Sequence, residues 1–127
     1  MKLLQRTTLF TVVLLLLTAV HHAYGAVIYN TPWRLHVLFV AIPMALLVFI
    51  LDHFLRRKPG SKWLMVLYIL PVFLFPLLAV GLYEGVYNHL VKNIVFLVTG
   101  NNSFFRMLFP PPAYEAPGDF WFEATGI

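Results

Sequence analysis

Three long apolar runs, separated by short polar segments, dominate the chain. They lie at 9–29, 35–55 and 63–83. A run of ~20 apolar residues can cross the ~30 Å hydrocarbon core of a bilayer as an α-helix. Only 11% of the residues are charged, against ~25% in a usual soluble domain. The pattern therefore predicts an all-α fold, a small bundle of about three transmembrane helices.

The first run has two interpretations, a retained span or a signal peptide. Lys2 and Arg6 precede an apolar core, and residues 23–25, Ala-Tyr-Gly, match the small-x-small pattern before a cleavage site. Two features favour a retained span: the paired His21 and His22, and the apolar residues that resume at Ala26. Cleavage before Ala26 is the alternative, and it would remove both histidines.

The region after the third run is helical in pattern but more polar. We interpret residues 84–99 as an extension of the third helix or as a helix in the membrane interface, with a short fourth span as the alternative. Gly100 then ends the helix. The predicted organisation is a helical domain at 1–100 and an irregular, aromatic and proline-rich tail at 101–127. We expect this tail to lie on the membrane surface or against a partner.

A short basic loop predicts the orientation of the chain. Residues 56–62 contain four cations, and short cationic loops stay in the cytoplasm. A bacterial-type inner membrane protein with several spans is therefore expected, with this loop inside. Asp52 and Arg56, four residues apart, are predicted to pair on one helix face. The formal charge of +4 follows from these flanking cations, so nucleic acid is not an expected partner.

The predicted orientation collects polar residues at the non-cytoplasmic side. Imidazoles with a carboxylate suit a transition metal, and two imidazoles could instead clamp a haem iron or serve a proton path. The absence of cysteine excludes thiolate ligands. The candidate ligands are His21, His22, His36, Glu84 and His89, with Arg34, Tyr87, Asn88 and Lys92 as supporting polar residues.

Helix geometry limits these candidates. Consecutive residues of an α-helix point ~100° apart, so at most one of His21 and His22 serves as a ligand. Glu84 and His89 lie ~140° apart around an ideal α-helix, so their meeting would need a kink or a site between helices. Three tail acids, spaced by four, could complete an external site, but we expect them to be solvated. They are Glu115, Asp119 and Glu123.

The pattern favours a small accessory subunit whose His/Glu cluster binds a metal or haem for a larger membrane complex. The rival is a structural membrane subunit without a cofactor, and an oligomeric transporter or proton path is a third class. The chain has no phosphate-binding glycine loop and no nucleophile elbow, so it is not expected to be an enzyme on its own. The expected partners are lipid, other membrane subunits or further copies of the chain.

Overall fold

The structure, a computed structural model, describes residues 2–127. Three of its helical stretches are long and apolar enough to cross a membrane, which confirms the predicted helical fold class and indicates membrane association. The third continues through the polar region after residue 83, as in the interpretation of 84–99 as an extension of the third helix. The three stretches are Lys2–Ile28, Pro32–Arg57 and Lys62–Thr99.

The second and third stretches change their winding along their length. The second begins with a 3₁₀ turn at Pro32–Leu35 and continues as an α-helix. The third contains a long π-helical segment, Phe73–Val91, between two α-helical ends. π-helical backbone is rare and is frequently found at functional sites. In chain order the α-helices are α1 (Lys2–Ile28), α2 (His36–Arg57), α3 (Lys62–Val72), α4 (Lys92–Thr99), α5 (Ser103–Leu108) and α6 (Phe120–Thr125).

Contacts divide the chain into two units, the first ending at Val80 and the second comprising Gly81–Ile127. In the first unit, α1 packs on α2 through Leu15, Ala19, Ala41 and Ala45. Two alanines one turn apart let helix backbones approach closely, as small residues do in membrane bundles. This alanine pair was not among the packing faces predicted from the sequence.

A second core cluster in the first unit joins α2 to α3. Val48 and Leu55 of α2 pack there against Tyr68 of α3. The Tyr68 hydroxyl shares a 2.9 Å hydrogen bond with the Thr8 hydroxyl of α1, so these two hydroxyls pair inside the bundle. Asp52 and Arg56 form the ion pair that their spacing predicts, which confirms that expectation.

The tail of the second unit packs against the end of the long third helix. Asn102 and Asp119 accept hydrogen bonds from the backbone N–H groups three residues later, and these caps start α5 and α6. The tail therefore contains two short helices within the region predicted to be irregular. Phe105 contacts Phe96, and Phe109 contacts Tyr87. These rings bury part of the tail on the chain's own helix.

Candidate metal centre

π-helical winding brings Glu84 and His89 together. Hydrogen bonds in a π-helix join residues five apart, so positions i and i+5 lie closer together around the axis than in an α-helix. Here His89 Nε2 lies 3.4 Å from Glu84 Oε1. The expectation that these residues point ~140° apart assumed α-helical winding, and it is wrong because Phe73–Val91 is π-helical. The two candidate ligands are therefore neighbours on one helical segment.

Asn88 fixes the other oxygen of the same carboxylate. Its side-chain amide donates a 2.6 Å hydrogen bond to Glu84 Oε2. A carboxylate anchored through Oε2 presents Oε1 to His89 in a fixed orientation.

Glu123 of the tail completes the cluster from the other side of the imidazole. His89 Nδ1 donates a 2.9 Å hydrogen bond to Glu123 Oε2, and Lys92 Nζ donates one of the same length to Glu123 Oε1. Glu123 is buried, and so are His89 and Lys92. The expectation that the tail acids are solvated is therefore wrong for Glu123.

Packing of α6 explains why Glu123 is buried. Its neighbour Phe122 is 2% exposed, and its ring lies 5.2 Å from the His89 ring, measured between centroids. The Asp119 cap starts α6 three residues earlier. Burial of the apolar Phe122 ring therefore carries the Glu123 carboxylate to His89 and Lys92.

The ionic partners of Glu123 decide its protonation. Burial alone would raise the pKa of Glu123, but the hydrogen bond from His89 and the charge of Lys92 outweigh burial. Together they hold the pKa of Glu123 below its ordinary value. Glu123 is thus a carboxylate in the folded protein, and it accepts hydrogen bonds from both partners.

Gly126 lies directly against the imidazole. A Cβ atom placed on Gly126 would overlap Cδ2 and Nε2 of His89. Its backbone is α-helical, so alanine would fit the chain conformation but not the space. Close packing at Gly126 therefore keeps the His89 ring in the orientation that faces Glu84. Gly126 was not among the site residues predicted from the sequence, and Glu123 was considered only as one of three tail acids that could complete an external site.

Four other predicted site residues lie in the first unit. His21 and His22 are buried, with their rings edge to face at 5.4 Å between centroids. Arg34 is buried, and its guanidinium lies over the Trp33 ring at 5.0 Å. His36 is exposed and donates from Nδ1 to the Trp33 carbonyl. Their predicted role in metal binding stays a prediction.

Tyr87, the remaining predicted residue, holds the tail. Its hydroxyl donates a 3.1 Å hydrogen bond to the Leu108 carbonyl, and its ring stacks on Tyr83. Tyr83 in turn shares a 2.8 Å hydroxyl hydrogen bond with Tyr114. These contacts fix the tail on the third helix beside Tyr83 and Tyr87.

No protein-family model matches the chain, and no significant match is found among curated proteins or solved structures. The functional interpretation therefore rests on the geometry of Glu84, His89, Lys92 and Glu123.

Proposed function

We propose that the protein is a small membrane subunit that binds a divalent transition metal at Glu84 and His89. The observation that carries this proposal is the 3.4 Å separation of His89 Nε2 and Glu84 Oε1. Two ligand atoms bound to zinc at ~2.1 Å in a tetrahedral arrangement lie ~3.4 Å apart. A charge-assisted hydrogen bond would be shorter, at ~2.7–2.9 Å. The separation fits shared ligation better than direct hydrogen bonding.

Glu123 supports this assignment through the other ring nitrogen. A carboxylate accepts hydrogen bonds, so the 2.9 Å contact places a proton on Nδ1 of His89. In the neutral ring the lone pair is then on Nε2, on the side of Glu84. Metal-binding histidines commonly donate their second N–H to a carboxylate, which orients the ring and raises its basicity. Lys92 balances the charge of Glu123.

The ligand atoms also limit which metal or cofactor the site can bind. Imidazole nitrogen with carboxylate oxygen suits Zn²⁺ or another divalent first-row metal. A carboxylate oxygen 3.4 Å from Nε2 occupies the side on which a haem iron would have to bind. We therefore propose a single ion rather than haem. The sequence-based candidates for further ligands are His21, His22 and His36.

The test is metal analysis of the full chain purified in detergent. Wild type is expected to retain stoichiometric metal, whereas His89→Gln and Glu84→Gln lose it. His53→Gln is the matched control, since His53 is exposed and lies outside the cluster. His36→Gln and the double variant His21→Gln/His22→Gln test the additional ligands. Equal metal content in wild type and His89→Gln would overturn the proposal.

One observation favours a second candidate, proton binding. The His89 ring has a carboxylate oxygen near each nitrogen, at 3.4 Å on the Glu84 side and 2.9 Å on the Glu123 side. This candidate predicts that both ring nitrogens carry protons at neutral pH in metal-free protein. Nitrogen-15 NMR of the His89 ring distinguishes the two candidates, because metal ligation leaves only Nδ1 protonated.

The accessory role and the cellular location are part of the proposal. We propose that the protein lies in a bacterial-type inner membrane with its 56–62 loop in the cytoplasm. We also propose that it contributes its metal site to a larger membrane complex. The chain has no cysteine, so a single Lys58→Cys variant can be labelled specifically. Labelling of Lys58→Cys only after inner membrane vesicles are inverted supports the orientation; labelling in intact cells contradicts it. A stoichiometric larger protein should co-purify with the chain.

A further inference from the structure

The aromatic residues of the tail divide into two sets. Phe105, Phe109 and Phe122 are each at most 2% exposed and pack on the chain's own residues. Their immediate neighbours point elsewhere. Exposed fractions are 49% for Phe104, 74% for Phe120 and 66% for Trp121. Each short helix therefore buries one apolar side and exposes another, and large exposed aromatic groups commonly mark a binding surface.

Arg106 of α5 is the cation beside the exposed Phe104 ring. Its side chain is exposed, with Nε donating to Asn101. On α6, Glu123 is buried in its ion pairs, and the half-buried Asp119 caps the start of the helix. The helix α5 thus presents an aromatic ring together with a cation, and an exposed arginine complements anionic lipid headgroups.

The tail also follows directly from a membrane helix. α5 begins at Ser103, four residues after the third apolar stretch ends at Thr99. The last turn of that stretch exposes Leu97 by 83% and Val98 by 80%. Exposed aliphatic side chains at the end of a spanning helix continue into exposed aromatic side chains on the tail. This order, aliphatic and then aromatic, is the one found at a membrane–water interface.

We propose that Phe104, Arg106, Phe120 and Trp121 form a lipid-binding surface that lies in the headgroup region of the bilayer. Trp and Phe rings insert among the headgroups, and Arg106 binds lipid phosphate. Through this surface the bilayer holds α6, the helix that carries Glu123. The proposal does not require a bound metal, so it stands apart from the proposed function.

Depth-dependent quenching of Trp121 fluorescence tests this surface. The probe is the full chain with Trp33→Phe and Trp63→Phe, reconstituted into vesicles of phosphatidylcholine and phosphatidylglycerol. Nitroxide labels at the headgroup should quench Trp121 severalfold more than labels deep in the acyl chains, and aqueous iodide should quench it weakly. A matched variant that retains only Trp63 provides a reference, since Trp63 begins the third stretch and is 80% exposed.

Two results would overturn the lipid-binding surface. Strong iodide quenching with no lipid quenching would place Trp121 in water. Shielding from iodide and from both lipid labels would place it against protein, either a second copy or a partner. Arg106→Gln adds a finer test. In wild type, headgroup labels should quench Trp121 more strongly in vesicles that contain phosphatidylglycerol than in pure phosphatidylcholine vesicles. Loss of the cation in Arg106→Gln should reduce this difference. Asn101→Ala is the control, because it removes the hydrogen bond between Arg106 and Asn101 but keeps the cation.

Discussion

The contacts that hold each unit together involve different kinds of side chain. Where α1 meets α2, the first unit packs aliphatic and small residues, with Leu15 and Ala41 among the most buried. The second buries aromatic rings together with the ionic cluster of His89, Lys92 and Glu123. Membrane helices associate through close packing of small residues, whereas buried ions depend on complete pairing. The first unit should therefore be sensitive to volume, and the second to charge.

The largest effect is expected from removing Glu123. Glu123→Ala leaves Lys92 and His89 without their shared carboxylate, and breaking a buried ion pair costs about 3–5 kcal/mol. The tail of this variant should become susceptible to protease, while the helices of the first unit stay protected. Limited proteolysis with mass spectrometry measures this. Equal protection of residues 101–127 in both proteins would show that the cluster does not hold the tail.

A volume change should produce the opposite pattern. Ala45→Leu adds bulk where α1 meets α2, and overpacking costs about 1–3 kcal/mol. Thermal unfolding in detergent should begin at a lower temperature, with the tail still protected from protease at low temperature. Ala79→Leu is the control, because Ala79 is exposed on an apolar helix. Comparable destabilisation by both substitutions would contradict the sensitivity to volume.

Gly126 connects packing to the cluster. Gly126→Ala places a methyl group on the His89 ring and should cost about 1–3 kcal/mol, the usual cost of overpacking. Its metal affinity should fall as the imidazole turns away from Glu84. Gly118→Ala is the matched control, since its Cβ would meet only the Ala116 carbonyl at an ordinary 3.7 Å. Unchanged affinity in Gly126→Ala would mean that the ring orientation does not depend on this contact.

A smaller effect is expected from pH. The pKa of Glu123 is lower in the folded protein than in the unfolded chain, where it is 4.5. Its contribution to stability is therefore present above pH 4.5 and is lost as the pH falls through the lower, folded pKa. Protease resistance of the tail should decrease over that interval in wild type. In Glu123→Gln the protease resistance of the tail should be lower than in wild type at every pH, and it should change little with pH below 4.5.

The difference between the units also explains what the sequence could predict. Apolar runs and the four-residue spacing of Asp52 and Arg56 are local patterns, and both predictions were confirmed. The His89–Glu123 contact joins residues 34 apart through a proline-rich tail, so no periodicity indicates it. The Glu84–His89 contact depends on π-helical winding. Residue spacing interpreted as an α-helix places these two side chains far apart around the axis, so it does not predict the contact. The candidate ligands Glu84 and His89 could therefore be predicted from the sequence, but their arrangement in space could not.

The most direct test of the central claim is the visible spectrum of the full chain titrated with Co²⁺ at neutral pH. Tetrahedral Co²⁺ with nitrogen and oxygen ligands absorbs far more strongly than hydrated, octahedral Co²⁺. If Glu84 and His89 share a metal ion, the intense bands should appear at stoichiometric Co²⁺ and be lost in His89→Gln and Glu84→Gln, but not in His53→Gln. Absence of these bands in wild type, or their persistence in His89→Gln, would contradict a metal site at these residues.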